Sequence, residues 1–173
     1  MEAKQWTTVD KSGWKMRGEW DDEPDKMQWQ DEATGLPCLI VRGPSGALCG
    51  YVGVSEGHKF YGTDYNDVMF DCGEDGDPYP EAHGGLTFSD FCADTNDHSR
   101  YICHIPGPGE PDRVWWLGFD CAHSGDLCPS YSRIGFSEGY DTYRNVAYVK
   151  NYCRKLAAQL ASVRPESESG PND

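Results

Sequence analysis

Residues 38–54 read CLIVRGPSGALCGYVGV, two apolar runs with Gly43-Pro44-Ser45-Gly46 between them. Cys38–Arg42 and Ala47–Val54 are rich in β-branched and small apolar residues, while the insert supplies turn residues that strand interiors avoid. The stretch predicts a β-hairpin closed by a four-residue turn. Working outward, HGGLTFSD (83–90) predicts a strand entered through two glycines. RYICHI (100–105) and VWWLGF (114–119) predict two more, separated by PGPGEPDR. In residues 141–163, Val146, Val149, Cys153, Leu156, Leu160 and Val163 recur at steps of three and four. That is the period of an amphipathic helix, with Asp141 or Thr142 as its expected N-cap. Strands in the middle and a helix at the end predict an α+β fold, a mostly antiparallel sheet with the C-terminal amphipathic helix packed on one face.

At 173 residues the chain is long enough for one domain with its own core. Residues 1–35 are polar and carry Trp6, Trp14, Trp20 and Trp29 at irregular intervals, so they are expected as an extended arm pinned by aromatics. Residues 36–164 are expected as the single α+β domain and residues 165–173 as a disordered, solvated tail. Residues 55–85 mix Gly, Asp, Tyr and Pro without a period, which predicts a long irregular excursion over the surface. No internal repeat is present.

Charge and cysteine usage narrow the function classes. Fifteen basic residues stand against 29 acidic ones, a formal net charge of -14. Such a surface repels phosphate backbones, so polymeric nucleic acid is an unexpected partner. A mean hydropathy of -0.71 and the lack of any long uncharged apolar run predict a soluble protein with no membrane partner. The first 25 residues have neither an apolar core nor a small-residue cleavage site, unlike a secretory signal. The eight cysteines are therefore expected as cytosolic thiols, mostly buried. None lies in a C-x-x-C pair, which argues against zinc ribbons and thioredoxin-type sites. Walker and Rossmann glycine loops are absent, so no nucleotide cofactor is expected.

The residues that carry chemistry cluster in two places. Asp120, Cys121, His123 and Asp126 follow the VWWLGF strand; His83, Gly84, Gly85 and Thr87 open another. His83, Asp120, His123 and Asp126 are the right types to ligate one divalent metal, zinc or manganese. The same residues, with Thr87, are candidate catalytic groups if an aspartate orients a histidine for metal-free acid–base work. The plainer alternative is that Asp120 and Asp126 only satisfy turn amides. Gly84 and Gly85 leave room for close approach of a ligand or another backbone. His58 and Tyr61 are candidate ligand-binding residues if the long excursion folds over the sheet as a lid. Arg144 is the candidate anion contact, its alternative being a salt bridge. Glu74, Asp75 and Asp77 lack the spacing of a calcium loop. A structural thiol is the better reading of Cys121 and Cys49, and Cys103-His104 reads as a core cysteine beside a surface histidine.

Four strings in order, GYVGVSEGHKFYG, HGGLTF, WWLGFDCAHSGD and YRNVAYVKNYCRKLAAQL, resemble a group of small uncharacterised proteins encoded by bacteriophages and some bacteria. The resemblance spans roughly residues 35–160, and Lys59 stands where that group often has proline. It implies a small protein of the bacterial cytoplasm, the host's if phage-encoded. Two function classes result. The first is a small hydrolase, metal-dependent in one form, acting on a small phosphorylated or nucleotide-like substrate. The second is a non-catalytic counter-defence protein that sequesters a small signal or occludes a host protein with its acidic surface.

Overall fold

The hairpin anchors a six-stranded sheet in the computed structural model, which describes residues 1–71, 76–93, 97–131 and 141–163. β3 (Pro37–Arg42) and β4 (Leu48–Val54) pair antiparallel with Arg42 opposite Leu48. The Gly43 amide donates to Ala47 O at 2.8 Å and the Gly46 amide to Gly43 O at 2.9 Å, closing the turn. Gly46 sits at φ +81, a conformation glycine adopts without a Cβ penalty. β6 (Trp115–Asp120) pairs with β4, and β5 (Phe88–Phe91) pairs with the outer edge of β6. On the other side β2 (Lys26–Gln30) joins β3 and β1 (Lys4–Trp6) joins β2. The order is β1-β2-β3-β4-β6-β5, antiparallel throughout.

Alternation along the strands gives the sheet two apolar faces. Cys38, Ile40, Leu48, Val52, Val54, Leu117 and Phe119 point to the face covered by helix α1 (Val146–Ser162), which contributes Val149, Cys153, Leu156, Ala157 and Leu160. Gly50 allows the helix close: a Cβ there would lie 2.5 Å from the Phe119 ring and 2.8 Å from Cys153 Sγ. The fold is therefore α+β with the C-terminal helix on one face. The helix starts later than expected, because Asn145 rather than Asp141 or Thr142 is the N-cap and accepts from the Tyr148 amide. The excursion at 55–87 packs Phe60, Val68 and Phe70 into the same core.

The second face carries Leu39, Tyr51, Val114 and Trp116, with Val41, Cys49, Phe88, Cys92 and Ile102 partly buried around them. Its cover includes the segment 97–105, and here the expected strand at 100–105 does not form. The physical reason is Lys26, whose Nζ donates to His98 O, Tyr101 O and Cys103 O at 2.5, 2.6 and 2.6 Å. Gln28 grips the same segment, accepting from the Ile105 amide and donating to Ile105 O. Side chains of β2 thus take up backbone groups that a strand would pair with another strand. His104, expected on the surface, is buried beside Cys103 for the same reason.

Residues 1–35, expected as an arm, are built into the sheet through β1 and β2. Asp25 accepts from the Thr8 and Val9 amides and from Arg42 Nε at 2.8 Å, with Lys11 Nζ at 2.9 Å. Glu23 accepts from the Val146 amide and from Tyr143 Oη, tying these residues to the helix start. Buried Lys26 and Gln28 break the apolar signature of β2, which is why its sequence does not announce a strand. Five of the described cysteines are buried. Cys72, Glu74, Asp75, the 165–173 tail and most of the loop before Tyr143 fall outside the described residues.

Replacing Lys26 by Met should leave three carbonyls without their donor and cost about 3 kcal/mol, read as a lower urea midpoint. Amide exchange at Ala93 and Ile105 should accelerate in parallel, and unchanged protection there would contradict the clamp.

Candidate metal centre

Antiparallel pairing of β5 with β6 brings the two chemistry-bearing loops together. Phe88 faces Gly118, so the residues just before β5 lie beside those just after β6. The 120–127 loop is fixed by a turn in which the Asp126 amide donates to His123 O at 3.0 Å. Backbone bonds from Leu127 N to Thr142 O and from Thr142 N to Gly125 O then tie it to the chain entering α1.

Asp126 is the hub. It is 1% exposed, and its Oδ1 accepts from Arg144 Nε at 2.8 Å. Its Oδ2 lies 2.7 Å from His83 Nε2 and accepts from the His123 amide at 3.1 Å. Burial alone would raise the Asp126 pKa, but the Arg144 hydrogen bond, then His83 and the His123 amide, outweigh it and hold the carboxyl below its ordinary value. His83 Nδ1 meets Tyr148 Oη at 2.9 Å, so both ring nitrogens of His83 are oriented. Burial, then the neighbouring Tyr152, push Tyr148 up to about 12, so its hydroxyl stays protonated at neutral pH.

His123 completes the group. Its ring packs edge-on to His83 with centroids 5.4 Å apart. Gly84 makes this possible: at φ +70 it has no Cβ, and one would fall 2.5 Å from His123 Cε1. The space that Gly84 keeps open is filled by that imidazole. His123 Nδ1 is buried and has no hydrogen-bond partner among the described residues, with Asp126 Oδ2 3.7 Å away and Asp120 Oδ1 3.9 Å away. One ligand atom each from His83, His123 and Asp126 lies within 4.8 Å of the others, a two-histidine, one-carboxylate set.

Asp120 stands at the rim, a third exposed, accepting from Thr87 Oγ1 and from the Ala122 amide, both at 2.9 Å. It is outside the three-residue set, and one of its oxygens caps a turn. Thr87 reaches the site only through Asp120. Arg144 forms the ion pair with Asp126 and lies over the Tyr148 ring, 4.8 Å from its centroid. His58 is not part of the site: its Nε2 donates to Leu160 O at 2.9 Å and its Nδ1 accepts from the Phe60 amide, a clamp on the end of α1. Tyr61 packs on Phe91, away from the cluster. Gly85, at φ +92, shapes the same turn. Burial pushes the Cys121 thiol up, as expected of a structural cysteine. Sequence reasoning missed Tyr148, although Arg144, Tyr148 and Tyr152 recur every fourth residue as a stripe on the helix start.

Compared with models of known protein families, with curated proteins and with solved structures, the chain matches none. Among the described residues, no helix is long and apolar enough to cross a membrane.

Because the folded state favours the Asp126 carboxylate, its contribution to stability is complete above about pH 4 and is lost as pH falls through the depressed value. Asp126→Asn should therefore lower stability at pH 7 and flatten the acid limb of the urea-midpoint profile. Parallel acid limbs in variant and wild type would contradict this electrostatic role.

Proposed function

We propose that the chain is a small hydrolase built on a divalent metal held by His83, His123 and Asp126, acting on a small phosphorylated or nucleotide-like substrate. The observation that carries this reading is the unpartnered, buried His123 Nδ1 facing a carboxylate and a second imidazole, whose other atoms are already oriented. Tyr148 on His83 Nδ1 and Arg144 on Asp126 Oδ1 are outer-shell partners of the kind that fix a ligand's direction. Zinc and manganese both accept imidazole and carboxylate donors.

Held by His83, His123 and Asp126, a divalent cation would supply Lewis-acid chemistry here. The protein's own residues supply the rest. Asp120, held by Thr87 at the open rim, is placed to take a proton from an attacking water. Arg144 offsets the Asp126 charge beside the site and gives it a positive edge for an anionic substrate. A net charge of -14 disfavours long polyanions, which supports a small substrate and no nucleic-acid polymer. The resemblance to small phage and bacterial proteins supports a bacterial cytoplasmic setting.

Hydrolysis of bis(p-nitrophenyl) phosphate with added manganese or zinc tests the reading. Activity should disappear on chelation and with His123→Ala, whereas Tyr148→Phe should weaken the metal dependence by about 10–100-fold at saturating substrate. Metal-independent turnover, or turnover that survives His123→Ala, would contradict it.

A further inference from the structure

A cleft of about 1050 Å³ opens on the sheet face opposite α1, lined in part by Val41, Tyr51, Phe88, Cys92, Arg100 and Ile102. It is separate from the metal centre, whose ligands are absent from its walls. One potential nucleophile on it, Cys92, has an organised environment. His104 is 2% exposed, and its Nε2 donates to Pro111 O at 3.2 Å. A carbonyl only accepts, so the neutral ring carries its proton on Nε2 and leaves Nδ1 as a base. That Nδ1 is 3.9 Å from Cys92 Sγ. The trio of thiol, imidazole and orienting carbonyl has the order of an activated nucleophile, base and orienter.

Three further features stabilise negative charge on Cys92. Trp116 is fully buried, and its Nε1–H has no hydrogen-bond partner among the described residues, yet lies near enough to Cys92 to favour the thiolate. The buried Lys26 ammonium is close enough to feel Cys103 and Cys92. The backbone bond from Ala93 N to Ile102 O at 3.2 Å brings Cys103, whose thiol donates to His104 O at 3.7 Å, alongside Cys92; the neighbouring Cys103, followed by His104 and Trp116, pulls the Cys92 thiol down against burial. The same interaction pushes Cys103 up, so the pair favours a thiolate on Cys92 over one on Cys103.

We propose that Cys92 and Cys103 form a redox-active dithiol, with Cys92 as the attacking sulfur, His104 as its base and an apolar organic hydroperoxide in the cleft as oxidant. His104 takes the Cys92 proton. The thiolate attacks the distal peroxide oxygen, an S–O bond forms and the O–O bond breaks. The alkoxide takes the proton held by His104 and leaves as an alcohol, so Cys92 is oxidised by two electrons to a sulfenic acid and the hydroperoxide is reduced. The Cys103 sulfur then attacks Cys92 Sγ, forming S–S and breaking S–O, and the departing hydroxide takes the Cys103 proton as water. The sum is two thiols and one hydroperoxide giving a disulfide, an alcohol and water.

The test uses the full chain, reduced and then freed of reductant. Iodoacetamide labelling, resolved by peptide mass mapping from pH 4 to 10, should give Cys92 a midpoint well below that of an ordinary thiol. At pH 6.5 it should be labelled at least about tenfold faster than the other cysteines. One equivalent of cumene hydroperoxide should produce a Cys92–Cys103 cross-link, faster than hydrogen peroxide does. Cys103→Ser should stop at a dimedone-trappable sulfenic acid on Cys92, and His104→Gln should raise the labelling midpoint. The labelling profile needs no substitution, so it decides the point even if the His104 variant fails to fold. An ordinary midpoint at Cys92, a cross-link elsewhere, or faster reaction with hydrogen peroxide would overturn the proposal.

Discussion

The central constraint is the burial of β6 on both faces and its pairing on both edges. Trp116 fills one side of the sheet, Leu117 and Phe119 fill the other, and β4 and β5 occupy the two edges. A slip of one residue would exchange these faces and drive Trp116 into the helix layer, so the register is fixed by packing. That register decides where Asp120–Asp126 emerge. It also sets where His83 arrives, because β5 hangs on β6. The candidate metal centre is thus a consequence of strand pairing in the core and not of the loops alone.

The two faces of the sheet are covered by different physics. Helix α1 covers one face with a periodic apolar stripe and satisfies its own backbone internally. The other face is covered in part by an irregular segment, whose backbone groups need partners from outside it. Lys26 and Gln28 supply several of them from within β2. This places a buried cation against the backbone of Cys103, so the device that holds the second layer down also adjoins the thiol pair.

How much of this was legible follows from where the signal lay. The hairpin, β6 and the helix were readable because their apolar runs or period are uninterrupted, whereas β5 forms at Phe88–Phe91, later than the strand expected over 83–90, whose first residues make the glycine turn instead. β2 was not readable, since two of its five residues, Lys26 and Gln28, are polar yet buried. The stretch at 100–105 misled for the converse reason: its residues favour a strand, but side chains of β2 take the backbone groups a neighbouring strand would have paired. At the site, His83, His123 and Asp126 were legible as residue types flanking strands that the structure pairs. Asp120 lies outside the three-residue set, its short side chain held in a turn and by Thr87. Tyr148 and His104 were invisible in role, since both depend on contacts between elements far apart in sequence.

The proposed centre requires His83, His123 and Asp126 to close around one cation. The most direct measurement is elemental mass spectrometry of the untagged protein after equilibration with zinc or manganese and removal of unbound metal, beside His83→Ala and His123→Ala. Close to one ion per chain, lost in both variants while their circular dichroism is unchanged, is the predicted result. A folded wild-type chain that retains no metal, or variants that retain it fully, would contradict the metal centre.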